Sequence, residues 1–308
     1  MGSNYNESKL NMLQSRIQND KCKITSPKLD STMIRIPMNT PLNIALLQLP
    51  PLSPTDTRLH QYLSTCKKQK VSLVAFGEYV FNPFFREFDK NHSKEMISAI
   101  SHNALNTLQK LAKKYKLDII APLLLGENGD GGNGKLYKSI IHISNDEKNS
   151  IHIYQQQRLI AYPHWNEKKF FDNKIPKSPK TPIVFERFGL NLGVISGFEA
   201  HFDELWLRLK NAKVDVVIMP CSNTFGSKTR WRNLCSMRAF TNSMALLRVN
   251  RVGSGVYDET QWRFYGDSLF INANGEIEEN LGDKEGMLLV SIEKEQILNA
   301  QKEWGFRI

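Results

Sequence analysis

The chain has 308 residues, with 41 Lys and Arg against 31 Asp and Glu, a formal net charge of +10 and 41% hydrophobic residues. This composition is typical of a globular protein and excludes wholesale disorder, a collagen-like repeat and a disulfide-rich scaffold. The apolar stretch at 119–125 is far shorter than the roughly 20 residues that a spanning helix needs, and no charged-then-apolar leader opens the chain. The four cysteines form no CxxC pair, so we expect reduced thiols in a cytoplasmic protein.

From residue 42 onwards, short apolar runs alternate with amphipathic segments. The predicted strands lie at 44–49, 71–76, 117–125, 136–144, 150–157, 190–195 and 214–219, and the predicted helices lie at 56–68, 93–115, 202–210 and 231–247, with short strands near residues 270 and 288. This alternation predicts one α/β domain over residues 43–308, with parallel strand pairs and helices on the sheet faces. Residues 1–40 are rich in Asn, Ser and Lys, and we interpret them as a polar, partly ordered extension.

The glycine-rich run at 129–135 fits the spacing of a phosphate-binding P-loop. That loop needs a hydroxyl after its lysine, and Leu136 stands there instead. The following segment also alternates like a strand, so we predict a turn between two strands. The seven histidines show no metal-binding spacing. We therefore predict neither a metal nor a cofactor.

The net charge of +10 admits a nucleic-acid or anionic-membrane partner. Lysines occur only in small groups, such as the one at 113–116, and no aromatic RNA-binding motif accompanies them. A dispersed basic surface explains the charge better, and a basic adaptor is the weakest functional alternative.

Polar or small residues follow three of the predicted buried strands. Glu78 follows the strand at 71–76, Gly197 to Glu199 follow the strand at 190–195, and Pro220 to Asn223 follow the strand at 214–219. Open α/β sheets place their chemistry at the carboxyl ends of the strands. We therefore expect these three strand ends to meet at one pocket.

Seven segments in this order resemble the nitrilase (carbon–nitrogen hydrolase) superfamily across residues 43–308. They are Asn43–Gln48, Ala75–Glu78, Trp165–Phe171, Phe188–Ile195, Arg238–Asn242, Asn250–Gly253 and Gly266–Ser268. The resemblance implies an α-β-β-α sandwich that pairs into a homodimer or a higher even oligomer.

In that family a cysteine attacks an amide or nitrile carbon, a glutamate moves the proton and a lysine stabilises the oxyanion. By resemblance, Glu78 is the catalytic glutamate and Glu167 the supporting one, while the nucleophile position holds Gly197. The family lysine lies eleven residues before the supporting glutamate and two after a tyrosine. Counting from Glu167 and from Tyr154 places it at Gln156. We further expect Phe198, Glu199, Cys221, Tyr154 and Arg158 to line the pocket.

Without a cysteine or lysine at these positions, the sequence predicts a catalytically inactive homologue that binds a protein partner or a small amide-like ligand. The alternative is a residual amidase that uses Cys221 or water activated by Glu78. We also expect one of the carboxyls of Glu78 and Glu167 to hold a proton more readily, unless Arg158 neutralises them. Strand alternation predicts that the Ser196 side chain points away from this site.

Overall fold

The computed structural model describes residues 40–87, 93–126, 134–146, 148, 150–257 and 259–307. The extension predicted at 1–40 lies outside this part apart from its last residue, and so does most of the glycine-rich run at 129–135. Within the described residues, no helix is long and apolar enough to cross a membrane.

The described residues form helices and strands that follow the predicted order. The strands are β1 (Leu42–Gln48), β2 (Leu73–Phe76), β3 (Asp118–Gly126), β4 (Leu136–Ile143), β5 (Ile151–Gln155), β6 (Ala161–Tyr162), β7 (Trp165–Asn166), β8 (Ile183–Arg187), β9 (Leu190–Val194), β10 (Val216–Cys221), β11 (Ala245–Asn250), β12 (Val252–Tyr257), β13 (Thr260–Tyr265), β14 (Leu269–Ile271), β15 (Ile277–Asn280) and β16 (Gly286–Ile292). The helices are α1 (Thr57–Lys68), α2 (Lys94–Tyr115), α3 (Asp203–Asn211), α4 (Lys228–Asn242) and α5 (Lys294–Trp304). The starts of α1 and α2 follow from side-chain caps, since Asp56 and Ser93 each accept a hydrogen bond from the first turn.

Two six-stranded sheets make up the centre of the fold. Their strand orders are β16-β1-β2-β3-β4-β5 and β15-β14-β11-β10-β9-β8. β1, β2 and β3 pair in parallel, as do β9, β10 and β11, and antiparallel strands extend both sheets on either side. The parallel strands are the continuous apolar runs of the sequence, because both faces of each are covered.

The sheets pack face to face, with helices outside. Leu46 and Ala75 of the first sheet share a core with Val194 and Ile218 of the second. α1 and α2 cover the outer face of the first sheet, and α3 and α4 cover that of the second. The predicted α-β-β-α sandwich is confirmed.

The helix predicted at 231–247 is too long at its carboxyl end. α4 stops at Asn242, where Ser243 adopts a left-handed backbone (φ 47°), and the buried strand β11 begins at Ala245. The run Met244–Leu247 is apolar throughout, so its pattern does not separate a buried strand from a buried helix. The sequence patterns did not predict β6, β7, β8, the β12–β13 hairpin, β15 or α5.

The two sheets touch where β2 and β10 end. The backbone N–H of Glu78 donates to the carbonyl of Cys221 at 2.9 Å. Gly77 permits this approach, because an added Cβ would lie 2.8 Å from the backbone nitrogen of Arg251. The strand ends of both sheets therefore meet at one place.

Candidate active site

A cavity of about 720 Å³ lies at these strand ends. Its wall carries several aromatic side chains, and it includes residues that follow β9, the end of β10 and the start of α4. The lining residues are Glu78, Ile160, Tyr162, His164, Trp165, Gly197, Phe198, His201, Cys221, Ser222, Asn223, Thr224, Phe225, Gly226, Ser227, Arg230, Trp231 and Leu234. All three predicted strand ends contribute to it.

Glu78 is a buried carboxylate on this cavity with polar partners on both oxygens. The Ser196 hydroxyl donates to Oε1 at 2.8 Å, and the Ser222 hydroxyl donates to Oε2 at 2.9 Å. The ammonium of Lys138 lies 3.2 Å from Oε2. This carboxylate is therefore held in the acceptor orientation that a general base needs.

Lys138 joins Glu78 to Glu167. Its Nζ lies 2.7 Å from Glu167 Oε1, and both side chains are buried. Glu167 also accepts hydrogen bonds from Tyr79 Oη at 3.1 Å and Trp165 Nε1 at 3.2 Å. Burial alone would lower the pKa of Lys138, but attraction to Glu167 and Glu78 outweighs burial and raises it. The site therefore holds a charged ammonium between two carboxylates.

The expectation that Glu78 and Glu167 lack an ammonium is wrong. Lys138 lies on β4, directly across the ladder from Gln156, whose backbone N–H donates to the Lys138 carbonyl at 3.0 Å. The cation is thus displaced by one strand rather than lost. Lys138 is the single Lys, Arg, Asp or Glu of β4 and is buried there, and a lone charged residue in a predicted strand was the available signal. Gln156 itself donates its side-chain amide to the carbonyl of Arg158 at 2.6 Å.

Arg158 does not neutralise the two carboxylates. Its guanidinium pairs with Glu204 and lies 5.4 Å from the centre of the Phe202 ring. Arg158 lies beyond the end of β5 and faces α3, so it does not reach the two carboxylates. Lys138 is the cation that contacts them.

Of the five residues expected to line the pocket, Phe198 and Cys221 lie on the cavity wall. Tyr154, Arg158 and Glu199 are absent from that wall and form a buried support behind it. Glu199 Oε1 accepts hydrogen bonds from Tyr154 Oη at 2.9 Å and the backbone N–H of Arg158 at 3.2 Å. Burial raises the pKa of the Glu199 carboxyl to about 7, against these hydrogen bonds, which lower it.

Gly197 and Cys221 are neighbours across the β9–β10 ladder. The Gly197 N–H donates to the carbonyl of Pro220 at 2.9 Å, and an added Cβ at Gly197 would lie 2.7 Å from Cys221 Sγ. The Cys221 thiol therefore fills the space that a side chain at 197 would take. Burial outweighs the adjacent Arg248 guanidinium and raises the pKa of this thiol far above its usual range, and the thiol donates to the Met219 carbonyl at 3.4 Å.

The prediction for Ser196 is wrong, since its hydroxyl reaches Glu78. β9 ends at Val194, so the alternation of side chains does not extend to residue 196. Ser222 was overlooked as a functional group, although it stands at a predicted strand end. Its hydroxyl contact with Glu78 arises between the two sheets, and no sequence spacing encodes such a contact.

Comparisons with known proteins agree with this architecture. A family model described as carbon-nitrogen hydrolase matches residues 43–301. N-carbamoylputrescine amidase of Arabidopsis thaliana is 24% identical over 217 residues, which cover 67% of this chain and 69% of the relative. A probable nitrilase of Schizosaccharomyces pombe is 24% identical over 273 residues, which cover 85% of this chain and 92% of the relative.

Solved structures are similar at lower identity. A carbon-nitrogen hydrolase from Helicobacter pylori G27 has a TM-score of 0.74 at 21% identity, covering 86% of this chain and 94% of its own. A mutant of the amidase from Nesterenkonia sp. AN1, in complex with butyramide, has a TM-score of 0.66 at 19% identity, covering 88% and 98%.

These findings overturn the prediction that this chain is not an enzyme. The matching family is one of hydrolases, and the similar proteins are named as amidases and nitrilases. The prediction also depended on a missing cation, which Lys138 provides.

Proposed function

This chain belongs to the carbon–nitrogen hydrolase family, and we propose that it is an amidase in which Glu78 is the general base. One observation carries the proposal. The Glu78 carboxylate lines the cavity while Oε2 faces the Lys138 ammonium at 3.2 Å. A base therefore faces the cavity, where a carbonyl carbon can be placed, and a buried cation lies directly behind that base.

Each charged group has a task in amide hydrolysis. Glu78 takes a proton from the attacking group and returns it to the leaving nitrogen. Lys138, which lies behind the cavity wall, holds the Glu78 carboxylate in place and adds positive charge near the developing oxyanion. Glu167, held by Tyr79 and Trp165, fixes the direction of the ammonium. Hydrolysis of the amide then needs only water as the second reactant.

The cavity favours a substrate with an apolar body. Tyr162, Trp165, Phe198 and Trp231 form much of its wall, and Arg230 adds a cation. The similar proteins include an N-carbamoylputrescine amidase and an omega-amidase. We propose that the substrate is a small amide or N-carbamoyl compound. Arg230 would favour a substrate with an anionic end.

Ammonia release from a panel of amides tests the proposal. The panel contains aliphatic amides, aromatic amides, amides with a distal carboxylate and N-carbamoyl amines. We expect turnover by the wild type and a loss of at least about 10²-fold in Glu78→Gln, because the amide cannot accept a proton.

The matched control is Glu279→Gln, which removes an exposed carboxylate of β15, far from this chemistry. It is expected to keep wild-type turnover. Equal turnover by Glu78→Gln and the wild type would contradict the proposal, as would the absence of turnover across the whole panel.

We also propose that the chain forms a homodimer or a higher even oligomer through α3 and α4. Leu207 on α3 is 57% exposed and Met237 on α4 is 54% exposed, which supports an apolar contact surface there. Sedimentation of Leu207→Glu/Met237→Glu should give monomers where the wild type gives dimers. A monomeric wild type at micromolar concentration would contradict this assembly.

A further inference from the structure

We propose that the Ser222 hydroxyl is the nucleophile of this site and forms an acyl-enzyme. The inference rests on the proposed amidase function and deepens it, because it names the group that Glu78 deprotonates. Ser222 directly follows β10, lines the cavity and is 3% exposed.

The geometry is that of an activated nucleophile. Ser222 Oγ donates to Glu78 Oε2 at 2.9 Å, and Glu78 Oε2 also lies 3.2 Å from Lys138 Nζ. The nucleophile Ser222, the base Glu78 and the orienting group Lys138 therefore form one connected row of contacts. Ser196 Oγ makes the equivalent contact with Oε1 at 2.8 Å, but Ser196 is fully buried and is not part of the cavity wall.

Cys221 is the strongest competitor, because its thiol fills the space beside Gly197. Its hydrogen bond is made to the Met219 carbonyl, on its own strand, and the side chain packs in the core between β10 and α4. A thiol in that position lacks the hydrogen-bonded base that makes it a thiolate at neutral pH. Ser222 has that base.

The reaction balances with water as the only second reactant. Ser222 Oγ bonds to the amide carbon while its proton passes to Glu78. The C–N bond then breaks, and Glu78 gives this proton to the leaving nitrogen. In the second half, Glu78 takes a proton from water, the hydroxyl adds to the acyl carbon, and the C–Oγ bond breaks. The proton returns to Ser222 and the acid leaves.

A fluorophosphonate probe tests the nucleophile, with the adduct mapped by peptide mass spectrometry that separates residues 221 and 222. We expect one adduct on Ser222 in the wild type and in Cys221→Ala. Ser222→Ala should give none and should lose at least about 10³-fold in amide turnover. Glu78→Gln should slow labelling, because the hydroxyl then has no base.

Ser196→Ala is the matched control, since it also removes a hydroxyl donor from Glu78. Labelling of this variant should still fall on Ser222. Ser222→Cys is the second variant: it keeps a nucleophile at the same place and should take an iodoacetamide adduct at residue 222. An adduct on Cys221 or Ser196, or no adduct in the wild type, would overturn the inference.

Turnover separates this inference from the amidase proposal. If Ser222→Ala keeps amide turnover within a few fold of the wild type while Glu78→Gln loses it, Ser222 is not the nucleophile and the amidase proposal stands. If the wild type turns over no amide, the amidase proposal fails, whatever the probe labels.

Discussion

Two charge clusters of opposite composition, each with a buried centre, lie close to the cavity. In the first, the ammonium of Lys138 is shared by the carboxylates of Glu78 and Glu167. In the second, the carboxylate of Asp267 is shared by Arg232, Arg248 and Lys228. One cluster has an excess of negative charge and the other an excess of positive charge.

The clusters also differ in what surrounds them. Glu78 lines the cavity directly. Arg248 is fully buried and is absent from the cavity wall; its guanidinium donates to the wall residue Asn223, whose Oδ1 accepts at 2.8 Å. A buried cluster that is saturated by its own partners supports the fold, whereas one that meets a cavity can act on a ligand. The second cluster therefore positions the β10–β11 strand ends on which the first depends.

Lys138→Met should have the largest effect, because it leaves two buried carboxylates without their shared cation. We expect a loss of about 3–5 kcal/mol in the free energy of unfolding. Amide turnover should fall by at least about 10²-fold in any variant that still folds. Urea unfolding followed by circular dichroism and ammonia release measure the two effects.

The double variant Lys138→Met/Gln156→Lys is the control for charge position. It moves the ammonium to the facing residue directly after β5, so it should recover part of the stability lost by Lys138→Met. No recovery would show that β5 cannot deliver a cation to these carboxylates in this fold.

Asp267→Asn breaks the second cluster and should cause the next-largest loss in the free energy of unfolding. Asp267 has a left-handed backbone (φ 64°), which Asn tolerates, so the substitution removes charge with little backbone strain. Burial alone would raise the pKa of Asp267, but Arg232 and Arg248 lower it below 3.8. The resulting stability is present at neutral pH and is lost as pH falls through the lowered pKa.

We expect Asp267→Asn to cost about 3–5 kcal/mol at pH 7, because Arg248 stays buried without its carboxylate. Urea unfolding at pH 7 and at pH 4 measures this cost. The difference in free energy of unfolding between the variant and the wild type should not be larger at pH 4 than at pH 7. A difference under 1 kcal/mol at pH 7 would contradict the role given to this cluster.

Continuous apolar runs such as the one at 73–76 predicted an α/β domain with parallel strands, and the resemblance to a known family added the α-β-β-α sandwich. Glu78, Gly197 and Cys221 could be placed at one site because strand ends follow from the same pattern. Lys138 could not be placed, since the family position Gln156 directly follows the neighbouring strand β5 and cross-strand register is absent from a single sequence. Ser222 depends on a contact between two sheets, which is set by packing rather than by spacing.

Glu199 offers a pH-dependent contrast with Asp267, because its pKa moves in the opposite direction. Burial raises the pKa of Glu199 from 4.5 to about 7. The folded state then binds the proton more tightly than the unfolded state, so this group makes the protein less stable as pH rises from 4.5 to 7. The total loss is about 3 kcal/mol.

Glu199→Gln should remove that dependence while keeping an oxygen acceptor for Tyr154. Relative to the wild type, the variant should gain stability between pH 5 and pH 7, by up to about 3 kcal/mol. Urea unfolding of both proteins at these two pH values measures the gain. If the variant and the wild type differ in free energy of unfolding by the same amount at pH 5 and pH 7, Glu199 stays ionised throughout this range.

Gly197→Ala should have the smallest effect, and it tests how closely Cys221 fills the space beside the cavity. The backbone at Gly197 is right-handed helical (φ −50°, ψ −49°), so alanine fits it without strain. The added Cβ would lie 2.7 Å from Cys221 Sγ, and overpacking of this kind costs about 1–3 kcal/mol.

Cys221→Ala removes the sulfur atom, so the cost of Gly197→Ala should shrink in that background. A double-mutant cycle from urea unfolding should therefore give a coupling of at least about 0.5 kcal/mol. Additive effects would mean that the strand end relaxes around the new methyl group, and that the Cys221 thiol does not exclude a side chain at residue 197.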